Sequence, residues 1–286
     1  MEEFMLKNER DIYTLAYFAA ISLVAVWEFW APRRKGTQPL PTRWAGNFGI
    51  TLVNLAIIYL SFPIMAVGFA MVIEAHGIGL FHLVDIPVWV TVPLAFIALD
   101  LARFMQHYLL HRLPILWRVH RIHHADLDYD FTVGLRFHPI EGLFTTGFAF
   151  AVIALIGPSA IIVAVSELVT VFTAMAVHAN GRTSRWVERY IRWAFVTPDM
   201  HRVHHSMQPN EHNSNYSALF SFWDRLFGTY VAEPIQPHET MEIGLPDLRD
   251  PQCLSLRWML IEPFRKQQKP GCPSRTVRVA RQTGAP

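Results

Sequence analysis

Four long apolar segments constrain the fold of this chain more than any other feature of its sequence. They cover residues 13–31, 50–73, 86–105 and 142–177. A transmembrane helix needs about 20 mostly apolar residues, and the last segment is long enough for two short helices separated by a turn at Gly157-Pro158. The sequence therefore predicts an all-α integral membrane bundle, with about three spans plus a helical hairpin.

The amino-acid composition supports the membrane prediction. Apolar residues make up 52% of the 286 residues and charged residues only 17%, whereas soluble domains carry about 25% charged residues. This balance argues against an ordinary cytosolic globule and against intrinsic disorder. The net charge of +2 is too small for a general nucleic-acid-binding protein. Two cysteines are too few for a disulfide scaffold or a cysteine zinc site.

Lysine and arginine are unevenly distributed among the loops that would connect the spans. Segments 32–45 and 106–141 each contain four of these residues, whereas segment 74–85 and the 157–158 turn contain none. Because cytoplasmic loops carry the excess of positive charge, we expect 32–45, 106–141 and everything after residue 178 in the cytoplasm. The acidic N-terminus, with no small-residue cleavage site after the first apolar segment, argues against a removable signal peptide.

The chain is predicted to consist of two parts. Residues 1–235 would form a membrane-embedded domain with a cytoplasmic helical cap, and residues 236–286 a basic tail rich in proline and glutamine. The stretch 265–286 contains six lysines or arginines and no acidic residue. A solvated tail is the simpler interpretation, and contact with anionic lipid headgroups is the alternative.

Histidine is concentrated in three short motifs within the polar segments. An HxxxH pair follows the third apolar segment, an HxxHH cluster comes soon after it, and a second HxxHH cluster follows the hairpin. These motifs hold eight of the fourteen histidines: His107, His111, His120, His123, His124, His201, His204 and His205. Because residues three and four apart share one face of a helix, each motif would present its rings together.

This concentration of imidazole groups indicates a metal site. Neutral imidazole is a ligand for iron, zinc, copper and nickel, and eight or nine ring nitrogens exceed what one ion can take, so we expect two ions. Closed structural zinc sites usually include cysteine, and neither cysteine lies near the motifs. A histidine-rich pair of ions at the membrane surface suits redox-active iron with open positions for O₂.

Three stretches of the sequence resemble the fatty acid hydroxylase and sterol desaturase superfamily. They are ALDLARFMQHYLLHRLPILWRVHRIHHADLDYDFTVGLRFHPIE at 98–141, TPDMHRVHHS at 197–206 and NYSALFSFWDRLFGTY at 215–230. The resemblance covers approximately residues 12–233. It implies an integral-membrane, non-haem di-iron enzyme that uses O₂ and external electrons to hydroxylate or desaturate a C–H bond of a lipid.

The resemblance implies nine histidine ligands for the two iron ions. They are the eight motif histidines and His178, in the element His178-Ala-Asn180. Some relatives carry a further histidine where this chain has Arg182, so a water molecule or Asn180 would complete the coordination of one ion. Tyr108 and Ser217 also depart from the family pattern, at positions that could reshape the edge of the site.

Five polar residues near the motifs are candidates for orienting the ligands. They are Asp100, Arg136, His138, Glu141 and Asn180. Asp100 lies on the same helical face as the first histidine of the HxxxH pair, so it would orient an imidazole or form a salt bridge with Arg103 or Arg136. Arg136 and Glu141 would also orient ligands, or they would pair with each other to hold a loop. His138, which proline follows and which has no partner histidine nearby, is expected beside the ligands, and a role as a ligand is the alternative.

The remaining histidines lie outside these motifs. His212 is expected to face solvent, because it sits in a polar loop near Asn213 and Asn215. His76, His82 and His238 are expected to be ordinary surface residues.

Taken together, the residues and the resemblance predict an O₂-dependent lipid oxidoreductase. The chain contains no GxGxxG stretch for a flavin or nicotinamide, so an external ferredoxin, cytochrome or reductase would supply electrons. A sterol, fatty acyl chain, ether lipid, aminolipid or carotenoid could be the substrate, and hydroxylation and desaturation both remain open. The non-enzymatic alternative is a histidine-rich metal transporter, although a transporter would place its ligands at mid-membrane.

Overall fold

The computed structural model describes residues 2–265, and their regular secondary structure is helical, as predicted. The α-helices are α1 (Glu2–Lys7), α2 (Glu9–Trp30), α3 (Leu40–Ser61), α4 (Ala66–Ala75), α5 (Leu80–Leu83), α6 (Val88–Arg112), α7 (Pro114–His124), α8 (Pro139–Ile156), α9 (Ala160–Val177), α10 (Arg185–Tyr190), α11 (Pro198–His204), α12 (Pro209–His212), α13 (Phe222–Leu226) and α14 (Leu256–Ile261). Short 3-10 helices cover Phe131–Leu135, Ile191–Trp193, Pro251–Leu254 and Glu262–Phe264. Within residues 2–265, β-structure is limited to isolated bridges.

Five segments are long and apolar enough to cross a membrane. They are Glu9–Trp30, Leu40–Leu83, Val88–Arg112, Pro139–Ile156 and Ala160–Val177. α9 packs against α2, α4 and α6, while α8 packs against α3, α4 and α6. Large apolar side chains such as Phe29, Leu60 and Leu155 point outwards from these helices and are exposed. Soluble proteins rarely expose large continuous apolar surfaces, so the outer faces suit a lipid environment.

The second apolar segment folds differently from its prediction. The sequence predicts one span over 50–73, but α3 begins at Leu40 and ends at Ser61, and α4 begins only at Ala66. Pro63 explains the break, because the residue before a proline is pushed out of the helical region. Phe62 accordingly has an extended backbone, with φ −118° and ψ 114°.

The predicted hairpin forms, and its turn lies at Gly157. This glycine ends α8 with a left-handed backbone, φ 69° and ψ 49°, which glycine adopts without a steric penalty. The turn also packs closely on the loop that follows α4, since a Cβ at Gly157 would lie 2.4 Å from the carbonyl oxygen of Ile78. Any larger residue would therefore force α8 and α9 away from that loop.

The early start of α3 places an arginine in the protein core. Arg43 falls within the predicted cytoplasmic loop 32–45, but it is buried in α3. Its Nε donates to Asp126 at 2.7 Å and its Nη2 donates to Asp130 at 2.9 Å. Asn47, one turn further along, donates to the second oxygen of Asp126 at 3.0 Å. These bonds fix the segment that follows α7 onto α3.

The first part of the predicted tail packs against the helical domain. Cys253 and Trp258 are buried in one apolar cluster with Ile50 of α3 and Ile122 of α7. The rest of the predicted tail, residues 266–286 with nearly all of the basic stretch, lies outside the described residues. The division of the chain at residue 235 remains a prediction.

Candidate metal centre

Five of the nine candidate ligands lie on α6 and α7, on facing sides of a sharp turn. The extended backbone of Leu113 ends α6, and Pro114 begins α7, where proline is favoured because its missing N–H is not needed. The two helices pack against each other. As a result, His124 Nε2 lies 3.1 Å from His111 Nε2 and 3.3 Å from His120 Nε2.

A second set of rings comes from the end of α9 and from α11. His178 caps the C-terminus of α9. The Thr197 side chain caps α11 by accepting a hydrogen bond from the Met200 amide, and α11 packs against α9. His178 Nε2 therefore lies 3.0 Å from His201 Nε2, and on its other side 3.2 Å from His123 Nε2 of α7.

All nine predicted ligands come together, and they form two groups. Within each group, one nitrogen from every ring lies within 4.8 Å of the others. The five-histidine group consists of His107, His111, His120, His124 and His204. The four-histidine group consists of His123, His178, His201 and His205.

Each HxxHH motif is divided between the two groups. The first motif contributes His120 and His124 to the five-histidine group, and its remaining ring to the other group. The second motif contributes His201 and His205 to the four-histidine group and its remaining ring to the five-histidine group. The two groups are in contact, since the ring centroids of His124 and His205 are 4.5 Å apart. The arrangement is a single cluster with two candidate binding positions for metal ions.

The nitrogen positions fit bound metal ions. Two ligands about 2.1 Å from one ion and at right angles to each other are about 3 Å apart, which matches the Nε2 separations of 3.0 to 3.3 Å. The Nε2 atoms of His107, His204 and His205 are buried without a hydrogen-bond partner in the described structure. Because buried polar atoms are normally paired, these inward-facing lone pairs indicate positions for cations.

Four rings are also held in place by hydrogen bonds that their Nδ1 atoms donate. His107 donates to the carbonyl of Tyr216 at 2.8 Å, His204 to the carbonyl of Ser214 at 2.6 Å, His120 to the carboxylate of Glu141 at 2.7 Å, and His178 to the carbonyl of Ala174 at 2.7 Å. Such partners fix the tautomer and orientation of metal-binding imidazoles. In all four rings, Nε2 is left free to face the centre.

Burial keeps the rings neutral, which is the form that binds metal. It lowers the pKa of His120 to about 3 and that of His178 to about 4. The pKa values of His123, His201 and His205 are also well below the ordinary value, first through burial and then through neighbouring imidazoles that oppose a second positive charge. The centre therefore presents uncharged lone pairs at neutral pH.

Of the five residues predicted to orient ligands, Glu141 hydrogen-bonds to a ligand ring. The alternative pairing of Glu141 with Arg136 does not form. Arg136 instead donates from Nε to the carbonyl of Ile122 at 2.7 Å and from Nη2 to the carbonyl of Cys253 at 2.6 Å. Arg136 thus joins the end of α7 to the C-terminal segment.

Asp100 and His138 serve other purposes than predicted. Asp100 accepts hydrogen bonds from the Trp223 indole at 2.9 Å and from the Phe220 amide at 3.1 Å, so it holds the α13 region rather than an imidazole or an arginine. His138 caps α8, because its Nδ1 accepts from the Ile140 amide at 3.2 Å. Neither residue belongs to the two histidine groups.

Asn180 and Arg182 do not complete the four-histidine group. The side-chain oxygen of Asn180 accepts from the Arg34 amide at 3.1 Å, and its nitrogen donates to the Arg34 carbonyl at 2.9 Å. The Arg182 amide donates to the carbonyl of Ala31 at 2.8 Å. Both residues therefore hold the segment after α2, and four histidines of the described residues come together at this position.

The two other departures from the family pattern lie beside the centre. Tyr108 packs edge-on against Tyr216 with ring centroids 5.4 Å apart, and Tyr216 in turn contacts the His111 ring at 5.0 Å. Ser217 is buried, and its amide donates to Asp224 at 3.0 Å.

The prediction that His212 faces solvent is wrong. Its side chain is 9% exposed, and its ring centroid lies 4.7 Å from that of His124 and 5.1 Å from that of His111. The only signal in the sequence is its position shortly after His205, in a loop whose polar composition indicates exposure.

His238 is likewise buried rather than on the surface, with its Nε2 3.8 Å from Asp199. His76 and His82 are exposed, as predicted.

The family model described as fatty acid hydroxylase matches residues 92–229. This region contains all nine histidines of the two groups. Alkylglycerol monooxygenase from Xenopus tropicalis is 31% identical over 49% of this chain and 30% of its own length. Ornithine lipid hydroxylase OlsE from Rhizobium tropici is 28% identical over 82% of this chain and 70% of its own length. Cholesterol 25-hydroxylase from Homo sapiens is 24% identical over 46% of this chain and 47% of its own length.

The chain thus spans only about a third of the length of the alkylglycerol monooxygenases that it matches. It covers 30% of the length of one and 34% of the length of another. No solved structure gives a significant match to the chain. The family model and the relatives agree with the histidine motifs and with the apolar helices. The chain is a multi-pass membrane protein, and it belongs to the fatty acid hydroxylase and sterol desaturase superfamily.

Proposed function

We propose that this protein is an O₂-dependent, non-haem di-iron oxidoreductase that hydroxylates a C–H bond of a membrane lipid. The observation that carries the proposal is the pair of histidine groups, whose coordinating nitrogens lie within 4.8 Å of one another in each group. The names of the similar proteins, which are monooxygenases or hydroxylases of alkylglycerols, ornithine lipids and cholesterol, support it further.

The two groups would each hold one iron ion. The five-histidine group would supply five imidazoles to one ion, and the four-histidine group would supply four to the other, leaving a position for a non-protein ligand. Redox-active iron suits this all-imidazole set, whereas closed structural zinc usually includes thiolates. The buried Cys253 is not among the residues of either group.

The bound irons would supply the oxidising power that cleaves an unactivated C–H bond, which no side-chain acid or base can do. The overall reaction balances as one C–H bond, O₂, two electrons and two protons giving an alcohol and water. The protein would position the substrate and exclude water. Eight of the nine histidines are buried and His107 is half-buried, which supports water exclusion, since a closed site protects reactive intermediates from side reactions.

Glu141 would keep the His120 ring in place throughout the reaction. By accepting the Nδ1 proton of His120 at 2.7 Å, the carboxylate raises the basicity of Nε2 and fixes its direction. The carbonyls of Tyr216, Ser214 and Ala174 would act in the same way on their rings, without adding charge.

A lipid substrate would reach the centre from the bilayer. α6 runs as one helix from the candidate span to His107 and His111. An apolar cluster that includes Phe104 and Tyr216 lies beside these histidines. An acyl or sterol chain lying between the spans would therefore meet the centre without crossing water.

Hydroxylation is the reaction that the relatives favour over desaturation, since each of those compared is named for insertion of oxygen. An ether lipid, an aminolipid, a sterol and a fatty acyl chain remain candidate substrates, with a carotenoid as a further alternative.

An external ferredoxin, cytochrome or reductase would deliver the electrons. The excess of lysine and arginine in segments 32–45 and 106–141 supports a cytoplasmic position for the metal centre. A soluble cytoplasmic donor could then dock directly at the membrane surface.

Lipid profiling of cells that express the protein tests this function. We expect a lipid whose mass increases by one oxygen atom, absent from cells that express the His123→Ala variant at equal membrane abundance. A loss of two hydrogens instead would replace hydroxylation by desaturation. Identical lipid profiles for the two cell lines, with donor proteins supplied, would contradict an enzymatic role.

A further inference from the structure

The loop at residues 214–217 presents two backbone carbonyls to two rings of one histidine group. The Ser214 carbonyl accepts from His204 Nδ1 at 2.6 Å, and the Tyr216 carbonyl accepts from His107 Nδ1 at 2.8 Å. His204 and His107 come from different helices, α11 and α6, and both belong to the five-histidine group. The residue between the two carbonyls is Asn215.

Asn215 has an unusual backbone conformation. Its φ of 52° is the one positive value among the non-glycine residues that the structure describes. An L-residue with a side chain adopts this left-handed region at a cost, and asparagine tolerates it better than most. The conformation reverses the chain locally, so the carbonyls on either side of Asn215 point to two separate imidazoles.

The side chain of Asn215 holds this conformation in place. Its nitrogen donates to the carbonyls of Met200 and Val231, both at 2.9 Å, and its oxygen accepts from the Val231 amide at 3.0 Å. The backbone amide of Asn215 donates to the Thr229 carbonyl at 2.9 Å. Asn215 is fully buried. The bond to Met200 ties the loop to α11, next to His201.

Asp224 completes the support of the loop. One of its oxygens accepts from the Tyr216 amide at 2.8 Å, and the other accepts from the Ser217 amide at 3.0 Å. With these amides fixed, the peptide group that carries the Tyr216 carbonyl cannot rotate freely. The orientation of the two carbonyls is therefore set by Asn215 on one side and by Asp224 on the other.

We propose that Asn215 is a positioning residue for the metal ion of the five-histidine group. Its left-handed backbone and its side-chain amide aim two carbonyls that orient His204 and His107, so that both Nε2 atoms face one ion. This inference rests on the proposed metal centre. Asn215 acts on one binding position only. In the four-histidine group, the carbonyl that accepts from an imidazole, that of His178, belongs to Ala174 in α9.

Metal binding by the purified full-length chain tests the proposal. The variants are Asn215→Ala, which disfavours the left-handed backbone and removes the amide, and Asn215→Gly, which permits that backbone but removes the amide. Asn213→Ala is the matched control, because Asn213 is exposed and its side chain donates only to the Pro209 carbonyl of its own loop. Each protein is titrated with Fe²⁺ and, for its absorption spectrum, with Co²⁺.

We expect the wild-type chain and Asn213→Ala to bind two ions. Asn215→Ala should bind one ion with unchanged affinity and the other about 10- to 100-fold more weakly, as is typical when the partner of a metal-binding histidine is lost. The absorption bands of the weakened cobalt ion should shift. Asn215→Gly should lie between Asn215→Ala and the wild type, because it restores the backbone alone.

Two different failures are distinguishable. A wild-type chain that binds no metal would overturn the metal centre itself. A wild-type chain that binds two ions, beside an Asn215→Gly chain with the same two affinities and the same cobalt spectrum, would overturn the role of Asn215. Lower thermal stability in that second case would identify Asn215 as a purely structural turn residue. The glycine variant keeps the test valid if Asn215→Ala does not fold.

Discussion

The five-histidine and four-histidine groups share both HxxHH motifs, but they are held in different ways. Three of the five rings in the larger group have Nδ1 bonded to a carbonyl or carboxylate. In the smaller group only His178 has such a bond, while Nδ1 of His123 and of His201 has no partner among the described residues. The smaller group also has one fewer histidine.

This difference indicates that the membership of each group and the orientation of its rings depend on different features of the fold. The tertiary packing of the motifs determines which rings share a group, whereas hydrogen-bond partners elsewhere in the fold determine how firmly those rings are held in orientation. Because such partners change metal affinity by about 10- to 100-fold, we expect the five-histidine group to bind its ion more tightly. The four-histidine group, which has one histidine fewer, is the better candidate for reaction with O₂.

The largest expected effect comes from two neighbouring residues that belong to different groups. His123→Ala and His124→Ala should each lower bound metal from two ions to about one and lower turnover by at least about 100-fold. Because His123 is in the four-histidine group and His124 in the other, the remaining ion should give a different absorption spectrum in each variant.

Iron analysis and the cobalt spectra of the two variants check this prediction. His76→Ala is the control, since His76 is exposed and outside both groups. Identical spectra for the remaining ion in His123→Ala and His124→Ala would contradict the division of the motif.

Glu141→Gln should have the next largest effect, and it should act on the five-histidine group alone. The glutamine keeps the shape of Glu141 but removes the charge that His120 Nδ1 contacts, so we expect the affinity for one ion to fall about 10- to 100-fold. Competition with a chelator measures both affinities. Glu239→Gln, at a partly exposed site paired with Arg33, is the control, and equal weakening of both ions would argue against a local role.

Lowering the pH should destabilise the metal-free protein. Burial lowers the pKa of His120 to about 3 and of His178 to about 4, while unfolded histidine titrates near 6.5. Between these values the unfolded chain binds more protons, so stability falls as pH decreases below about 6.5.

Thermal unfolding of the metal-free protein in detergent at pH 7.5, 6.5 and 5.5 measures the effect. We expect little change between the first two values and a marked fall at the third. Because the folded rings stay neutral throughout this range, and neutral rings are the form that binds metal, adding iron should raise stability at all three values. A metal-free protein with equal stability at all three values would contradict the burial of the neutral rings.

Asp100→Asn should have the smallest effect, and it tests a residue that the sequence assigns to the centre. Because Asp100 accepts from Trp223 and Phe220 rather than from a ligand, we expect a loss of about 1 to 3 kcal/mol in the free energy of unfolding. Both metal affinities should be unchanged. A selective loss of one ion would show that Asp100 orients a histidine after all.

The sequence predicts which nine histidines come together, because eight of them stand at regular spacing in short motifs. His120, His123 and His124 lie on one helix, as do His201 and His204. The apolar segments likewise predict the membrane helices, apart from the break at Pro63. Only tertiary packing divides each motif between two ions, so the division itself has no signal in the spacing.

The partners of the ligands are harder to predict. Two of them are the backbone carbonyls of Ser214 and Tyr216. Because every residue has a backbone carbonyl, the residue type gives no signal for this contact. Other contacts join distant parts of the chain, such as Asp100 with Trp223, 123 residues apart. Arg43 and His212 are two further examples. Each is a polar residue in a polar segment, which predicts exposure, and only the tertiary structure reveals the partners beside which it is buried.

Metal analysis of the protein, purified in detergent from iron-supplied cells, shows directly whether it holds a di-iron centre. We expect about two irons per chain, both absent from a variant that lacks the rings of His123 and His124 together. One zinc alone, or stoichiometric copper or nickel, would contradict a di-iron centre. Two irons that persist in the double variant would show that the metal lies elsewhere.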